Sequence, residues 1–85
     1  MNWEKAQKIL EEAEFNSDAE NEVFEGLKII SRHCGNITVT AEHDQIWAYL
    51  LNDGDIELFT EEDIKELAKN NWMADEEDGG FSKFV

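Results

Sequence analysis

The sequence predicts an α+β fold: two N-terminal helices, then a small antiparallel sheet of three to five strands with one inserted helix. Three observations predict it. Apolar residues recur at spacings of three and four over the first part of the chain, as in helices that bury one face. From Ile37 the pattern changes to alternation rich in β-branched residues. A third capped helical stretch is followed by two short aromatic strands around an acidic loop ending in Gly79-Gly80. The chain has 85 residues, which leaves room for one core and one domain, 1–85.

Residues 3–15 read as the first helix, with Trp3, Ala6, Leu10 and Ala13 on one stripe and Ile9 beside it. Glu4 suits the N-terminal end of the helix dipole. Glu11, Glu12 and Glu14 oppose the dipole at the other end, so that end is expected to be frayed or short. Asn16-Ser17 breaks the pattern. Ser17 and Glu20 have the spacing of a capping box, which predicts that the second helix starts there. Its apolar stripe is Val23, Leu27, Ile30 and Cys34, widened by Phe24, with Ile29 off it. Gly26 counts against the assignment, because glycine inside a helix costs about 1 kcal/mol relative to alanine. Lys28 and Arg32 fall near its C-terminus, and Gly35 supplies a left-handed stop.

Ile37 to Ala41 reads as a strand and His43-Asp44 as a turn. Gln45 to Leu51 reads as a second strand, with Ile46, Ala48 and Leu50 on one face and Trp47, Tyr49 and Leu51 on the other. Apolar residues on both faces predict a central strand, or a face covered by a partner. Asn52 to Asp55 reads as a turn and Ile56 to Phe59 as a short strand or extended lead-in. Thr60 caps a third helix with Asp63 completing a capping box, Ile64, Leu67 and Ala68 as its apolar side, and Asn70-Asn71 as its end. Trp72 to Ala74 and Phe81 to Val85 form the terminal hairpin around Asp75–Gly80.

Charge is the outlying property: 21 Asp and Glu against 7 Lys and Arg, a net charge of −14. That excludes direct binding to nucleic acid through a phosphate-neutralising patch, and it argues against docking on an anionic membrane. A partner bound electrostatically is expected to be basic. Hydrophobic residues make up 41% of the chain, with five Phe, three Trp and one Tyr, enough for a core rather than a disordered chain. Cys34 is the single cysteine, so there is no internal disulfide. The start MNWEKAQKIL does not read as a signal sequence, and together these predict a reducing cytoplasm. The longest apolar run, Ile46 to Leu51, is too short to cross a bilayer.

Chemistry-bearing motifs are weak. Asp53, Asp55 and Glu57 occupy positions 1, 3 and 5 of an EF-hand-like loop, but Leu58 stands at the glycine position and Ile64 at the bidentate glutamate. The loop from Asp75 runs out of chain before its last ligand position. Both read as solvated turns. His33, Cys34 and His43 lack zinc-ligand spacing, and Cys34 on an apolar stripe reads as a small buried hydrophobe. No nucleophile elbow, P-loop or dinucleotide fingerprint is present. No enzyme, metal or cofactor is expected.

The acids are segregated. Glu11, Glu12, Glu14, Asp18, Glu20, Glu22 and Glu25 follow one another with no intervening base. A second block holds Glu42, Asp44, Asp53, Asp55, Glu57, Glu61, Glu62 and Asp63. Segregation concentrates field. Carboxylates at one-to-three residue intervals along a helix give a charge every ~1.5–4.5 Å of rise, comparable with one per ~1.7 Å along B-DNA. The candidate partner-binding residues are therefore Glu11, Glu12, Glu14, Asp18, Glu20, Glu22 and Glu25, and Asp53, Asp55, Glu57, Glu61 and Glu62. Such surfaces can stand in for phosphates on a basic, nucleic-acid-binding protein. The plainer possibility is that acidity only confers solubility, although −14 exceeds the ~2–8 charges that suffice for a small domain. The alternative is a non-enzymatic interaction module or homodimer using Trp47, Tyr49 and Leu51 as an apolar sheet face.

The segment EDIKELAKNNWMADEEDGGFSKFV resembles a tail of small phage-encoded proteins, through Leu67, Trp72, Asp75, Phe81, Phe84 and Val85. Asn71 stands where that pattern usually has Gly, and Phe81 where it usually has Trp. The resemblance covers about a quarter of the chain. In composition the chain is similar in kind to anti-CRISPR and other anti-defence inhibitors, several of which are DNA mimics. The resemblance implies a class of function, with a Cas complex in the host cytoplasm as the first partner to consider. It implies no specific contact residues, and its aromatics read as core of the terminal hairpin.

Overall fold

A computed structural model describes residues 1–34 and 37–85, apart from the side chain of Asp53. The fold is α+β, with three α-helices and a four-stranded antiparallel sheet. Helix α1 spans Trp3–Glu12, capped by the Asn2 side chain, which accepts from the Lys5 amide at 2.8 Å. It ends before the predicted residue 15. Glu11 and Glu12 close it with no cation in the last turn, the end the dipole disfavours.

Helix α2 spans Glu22–His33, so the predicted start at Ser17 is corrected. Ser17 and Asp18 form a turn in which Asn16 Oδ1 accepts the Asp18 amide at 3.1 Å. The helix starts instead at Asn21, in the left-handed region at φ 54°. Trp72 fixes this start: its indole N–H donates to the Glu22 carbonyl at 2.9 Å. The buried face is corrected in part: Ile30 and Cys34 are buried as predicted, and Leu27 packs against the core. Gly26, Ile29 and Ile30 are buried, Val23 and Leu27 are half-buried, and Phe24 is exposed. Gly26 faces the Trp72 ring, and a Cβ there would lie 1.9 Å from the indole nitrogen. The residue that counted against the helix is what lets tryptophan lie on it. The predicted stop at Gly35 lies outside the described residues.

Strands β1 (Ile37–Glu42) and β2 (Gln45–Leu50) form a hairpin, turned at His43 with φ 57°. The predicted turn and short strand over 52–59 are corrected: Asp53–Leu58 is a 3-10 helix that buries Ile56 and delivers Phe59 to the core. Helix α3 spans Glu61–Lys69 with the predicted capping box present in both directions. It ends in a Schellman turn: the Trp72 amide donates to the Leu67 carbonyl and the Asn71 amide to the Ala68 carbonyl, with Asn71 at φ 63°. This left-handed position is the one where the tail pattern usually carries glycine. Strands β3 (Met73–Asp75) and β4 (Gly80–Phe84) complete the sheet in the order β1-β2-β4-β3. β2 is thus central, as predicted.

Residues paired across antiparallel strands share a face. Ala48 pairs with Phe81, Phe81 with Ala74, and Ile46 with Lys83. Phe81 meets Trp3 of α1 at 5.3 Å between ring centroids and Phe59 at 5.6 Å, and Phe59 meets His33 of α2 at 5.0 Å. Ile64 and Leu67 of α3 join the same cluster. All three helices therefore cover one face of the sheet. Trp47, Tyr49, Ser82 and Met73 lie on the other, where Ser82 is buried and Trp47, Tyr49 and Met73 are half-buried. Among the described residues no helix is long and apolar enough to cross a membrane.

Candidate partner-binding surfaces

Asn16 positions the segment that carries the first acidic block. Its amide donates to Asn71 Oδ1 at 2.7 Å, its carbonyl accepts from Asn71 Nδ2 at 3.0 Å, and its side chain donates to the Lys69 carbonyl at 2.9 Å. The end of α1 and residues 13–21 are thereby held against the end of α3. Glu11, Glu12, Glu14, Asp18 and Glu20 are exposed, and none has a Lys or Arg within 4.0 Å among the described residues. Glu11 accepts only from Gln7 Nε2, at 2.8 Å.

Two members of this block have other duties. Glu25 pairs with Lys28 at 3.4 Å on the surface. Glu22 pairs with Lys83, whose side chain is only 4% exposed, and accepts from Asn71 Nδ2 at 2.6 Å. The Lys83 bond holds the Glu22 carboxyl below its ordinary value, against the opposing effect of burial and with help from Asn71. Lys83 also donates to the Phe84 carbonyl at 3.1 Å. Glu22 is therefore the counter-ion of a buried lysine.

The second acidic block sits at the opposite end of α3. Glu61 pairs ionically with Lys5 at 3.4 Å and Lys65 at 3.8 Å. Glu57 and Glu62 are exposed, with no Lys or Arg within 4.0 Å among the described residues, and Asp55 is half-buried. Asp53 contributes backbone to the 3-10 helix, and its side chain lies outside the described residues. Asp63 organises this end. Burial alone would raise its carboxyl, but bonds from the Thr60 backbone and side chain and from His33 outweigh burial and hold it below its ordinary value. It accepts from the Thr60 amide at 2.9 Å and His33 Nε2 at 2.7 Å, with Arg32 at 3.6 Å. His33 is thus committed to Asp63. Cys34 is buried, and burial first, then Asp55, raises its thiol. Among the described residues no three His, Cys, Asp or Glu converge as a metal cage.

Residue patterning missed an apolar surface beside the first acidic block. Phe15 is 78% exposed, Phe24 62%, Phe84 58% and Val85 63%. The tail aromatics therefore divide: Trp72 and Phe81 are core, but Phe84 is not. A groove of about 450 Å³ runs between Leu10, Ala13 and Phe15 on one wall and Ala68, Trp72 and Phe84 on the other. A second of about 620 Å³ lies between Val23, Phe24 and Leu27 and the terminal Val85. Lys83 lines both. The one available signal was Phe15, an aromatic outside every predicted stripe. Compared with known proteins, the chain matches no family model, no curated protein and no solved structure.

Proposed function

We propose that this protein is an inhibitor of the phage anti-defence kind. It occupies a basic, nucleic-acid-binding surface of a host defence complex, a Cas complex first, and its carboxylates stand in for phosphates. The observation that carries the reading is the set of exposed acids Glu11, Glu12, Glu14, Asp18 and Glu20, on the end of α1 and the segment Asn16 anchors, none of them ion-paired within 4.0 Å among the described residues. Glu57 and Glu62 add a second cluster at the other end of α3. Uncompensated charge of this kind speeds encounter with a cationic cleft and weakens steeply with salt. Neither catalysis nor a cofactor is part of the proposal.

The test is capture from bacterial lysate with the tagged protein, with and without nuclease, eluted in a salt gradient. Mimicry predicts a nucleic-acid-binding complex released by moderate salt and competed by DNA or RNA. The triple reversal E11K/E12K/D18K should lose that complex mainly through slower association. Equal capture by the triple variant at low salt sinks the reading.

A second reading has its own observation. All helices lie on one side of the sheet, so Trp47 and Tyr49 face outward beside Met73. That face suits a protein-interaction module or a homodimer. Its association would persist at high salt and be lost in Trp47→Ala, measured by sedimentation.

A further inference from the structure

We infer that the two grooves beside Lys83 form one docking surface for an amphipathic helix of a partner protein. Its large apolar side chains enter the grooves, and its Lys and Arg side chains meet Glu11, Glu14, Asp18 and Glu20. The inference rests on the reading that the acids face a basic partner, and adds what that partner presents between its cations.

The grooves, about 450 Å³ and 620 Å³, are of the size that takes side-chain anchors or small ligands. Lys83, which lines both, is matched: its ammonium pairs with Glu22 and donates to the Phe84 carbonyl. The walls are aromatic and outward. Asn16 is tied to Asn71 and Lys69, which fixes the backbone next to Phe15. Phe24 stands on the first turn of α2, with Lys28 5.2 Å from its ring centroid and Lys28 matched in turn by Glu25.

Charge selects the occupant. Glu11 and Glu14 line the first groove itself, and Asp18 and Glu20 sit on the loop that leads to the second. A second copy of this chain would bring its own net charge of −14 to that rim. A nucleic acid would be repelled likewise, and would have no use for exposed phenylalanines in grooves. A helix supplies anchors at i, i+3 or i+4, and i+7 on one face and cations along its borders, which fits two adjoining apolar grooves with an acidic margin.

The test uses three synthetic helical peptides of about five turns. The first carries Leu and Phe anchors bordered by Lys and Arg, the second keeps the cations with Ser at the anchors, and the third keeps the anchors with Glu for the cations. Binding is read by fluorescence anisotropy at low ionic strength. The first peptide is expected to bind at least about tenfold more tightly than either other, and Phe15→Ala and Phe24→Ala to weaken it about tenfold each. Both phenylalanines are exposed, so unchanged thermal melting should accompany the loss. Equal binding of the first two peptides, with Phe15→Ala silent, overturns the docking surface and leaves the electrostatic reading standing. Equal binding of the first and third removes the role of the acids and overturns both. No binding by any peptide overturns the docking surface, while the lysate capture decides the wider reading separately.

Discussion

The two acidic regions look alike in composition and differ in what they do for the fold. At the start of α3, Glu61, Glu62 and Asp63 lie where the helix dipole favours anions. Glu61 holds two lysines, and Asp63 closes the capping box while accepting from His33. Most of that charge is explained by folding. At the end of α1, Glu11 and Glu12 oppose the dipole, and Glu14, Asp18 and Glu20 follow on a loop with no Lys or Arg within 4.0 Å among the described residues. Folding alone would favour lysine there. Under the proposed reading, a charge that works against its own helix beside exposed phenylalanines serves recognition rather than folding. Position relative to the dipole and to cations separates the two kinds of acid better than their count does.

The largest expected effect breaks that division, because one acid of the first region behaves like those of the second. Glu22→Gln leaves the Lys83 ammonium buried without its counter-ion, a change that costs about 3–5 kcal/mol. Adding Lys83→Met should restore most of the loss, because Met fills similar volume without charge. Chemical denaturation of the single and double variants checks this. No recovery in the double variant would show that the Glu22 side chain matters for reasons other than Lys83.

The next effect sharpens the division. Asp63→Asn should cost about 1–3 kcal/mol by weakening charge-assisted bonds at the head of α3. Its pH dependence has a definite sign. Asp63 is held below its ordinary value in the folded protein, so its ionised form favours folding. That contribution is full above the unfolded value near 3.9 and is lost as pH falls through the lower folded value. The stability gap between wild type and Asp63→Asn should therefore close as pH falls below about 4. A gap that persists in strong acid would assign the loss to packing instead.

Much of this was legible in the residue pattern, because local chemistry governed it. The capping box at Thr60 and Asp63, the alternation of Gln45–Leu50 and the terminal hairpin depend on neighbours in sequence. What escaped depends on residues far apart. Ser17 and Glu20 have the spacing of a cap, but the start of α2 is set by Trp72, 50 positions after Glu22, and by the glycine beneath its ring. Ile29, read as off the stripe, is buried for the same reason: the helix turns its Gly26 side toward Trp72 and carries Ile29 inward. Ile56–Leu58 alternates like a strand, yet a 3-10 helix over Asp53–Leu58 buries Ile56 and leaves Glu57 and Leu58 exposed. The acids were legible in the sequence as two charged blocks. Their sorting into structural and free required knowing where Lys83 and Lys5 point.

The smallest effect on stability is the most telling one for the free acids. In Glu11→Lys with Glu12→Lys, two anions that oppose the α1 dipole become cations that favour it. The gain should be about a few tenths of a kcal/mol at low salt, offset in part by the lost Gln7 bond and screened as ionic strength rises. The double variant should thus melt at or slightly above the wild-type temperature, and the increment should fade in high salt. Partner capture should move the opposite way, falling most at low salt, where the wild-type acids steer best. A protein made more stable and less able to bind by the same two substitutions would separate the demands of folding from those of recognition. A drop in melting temperature would instead place Glu11 and Glu12 with Glu22 and Asp63, among the acids the fold itself requires.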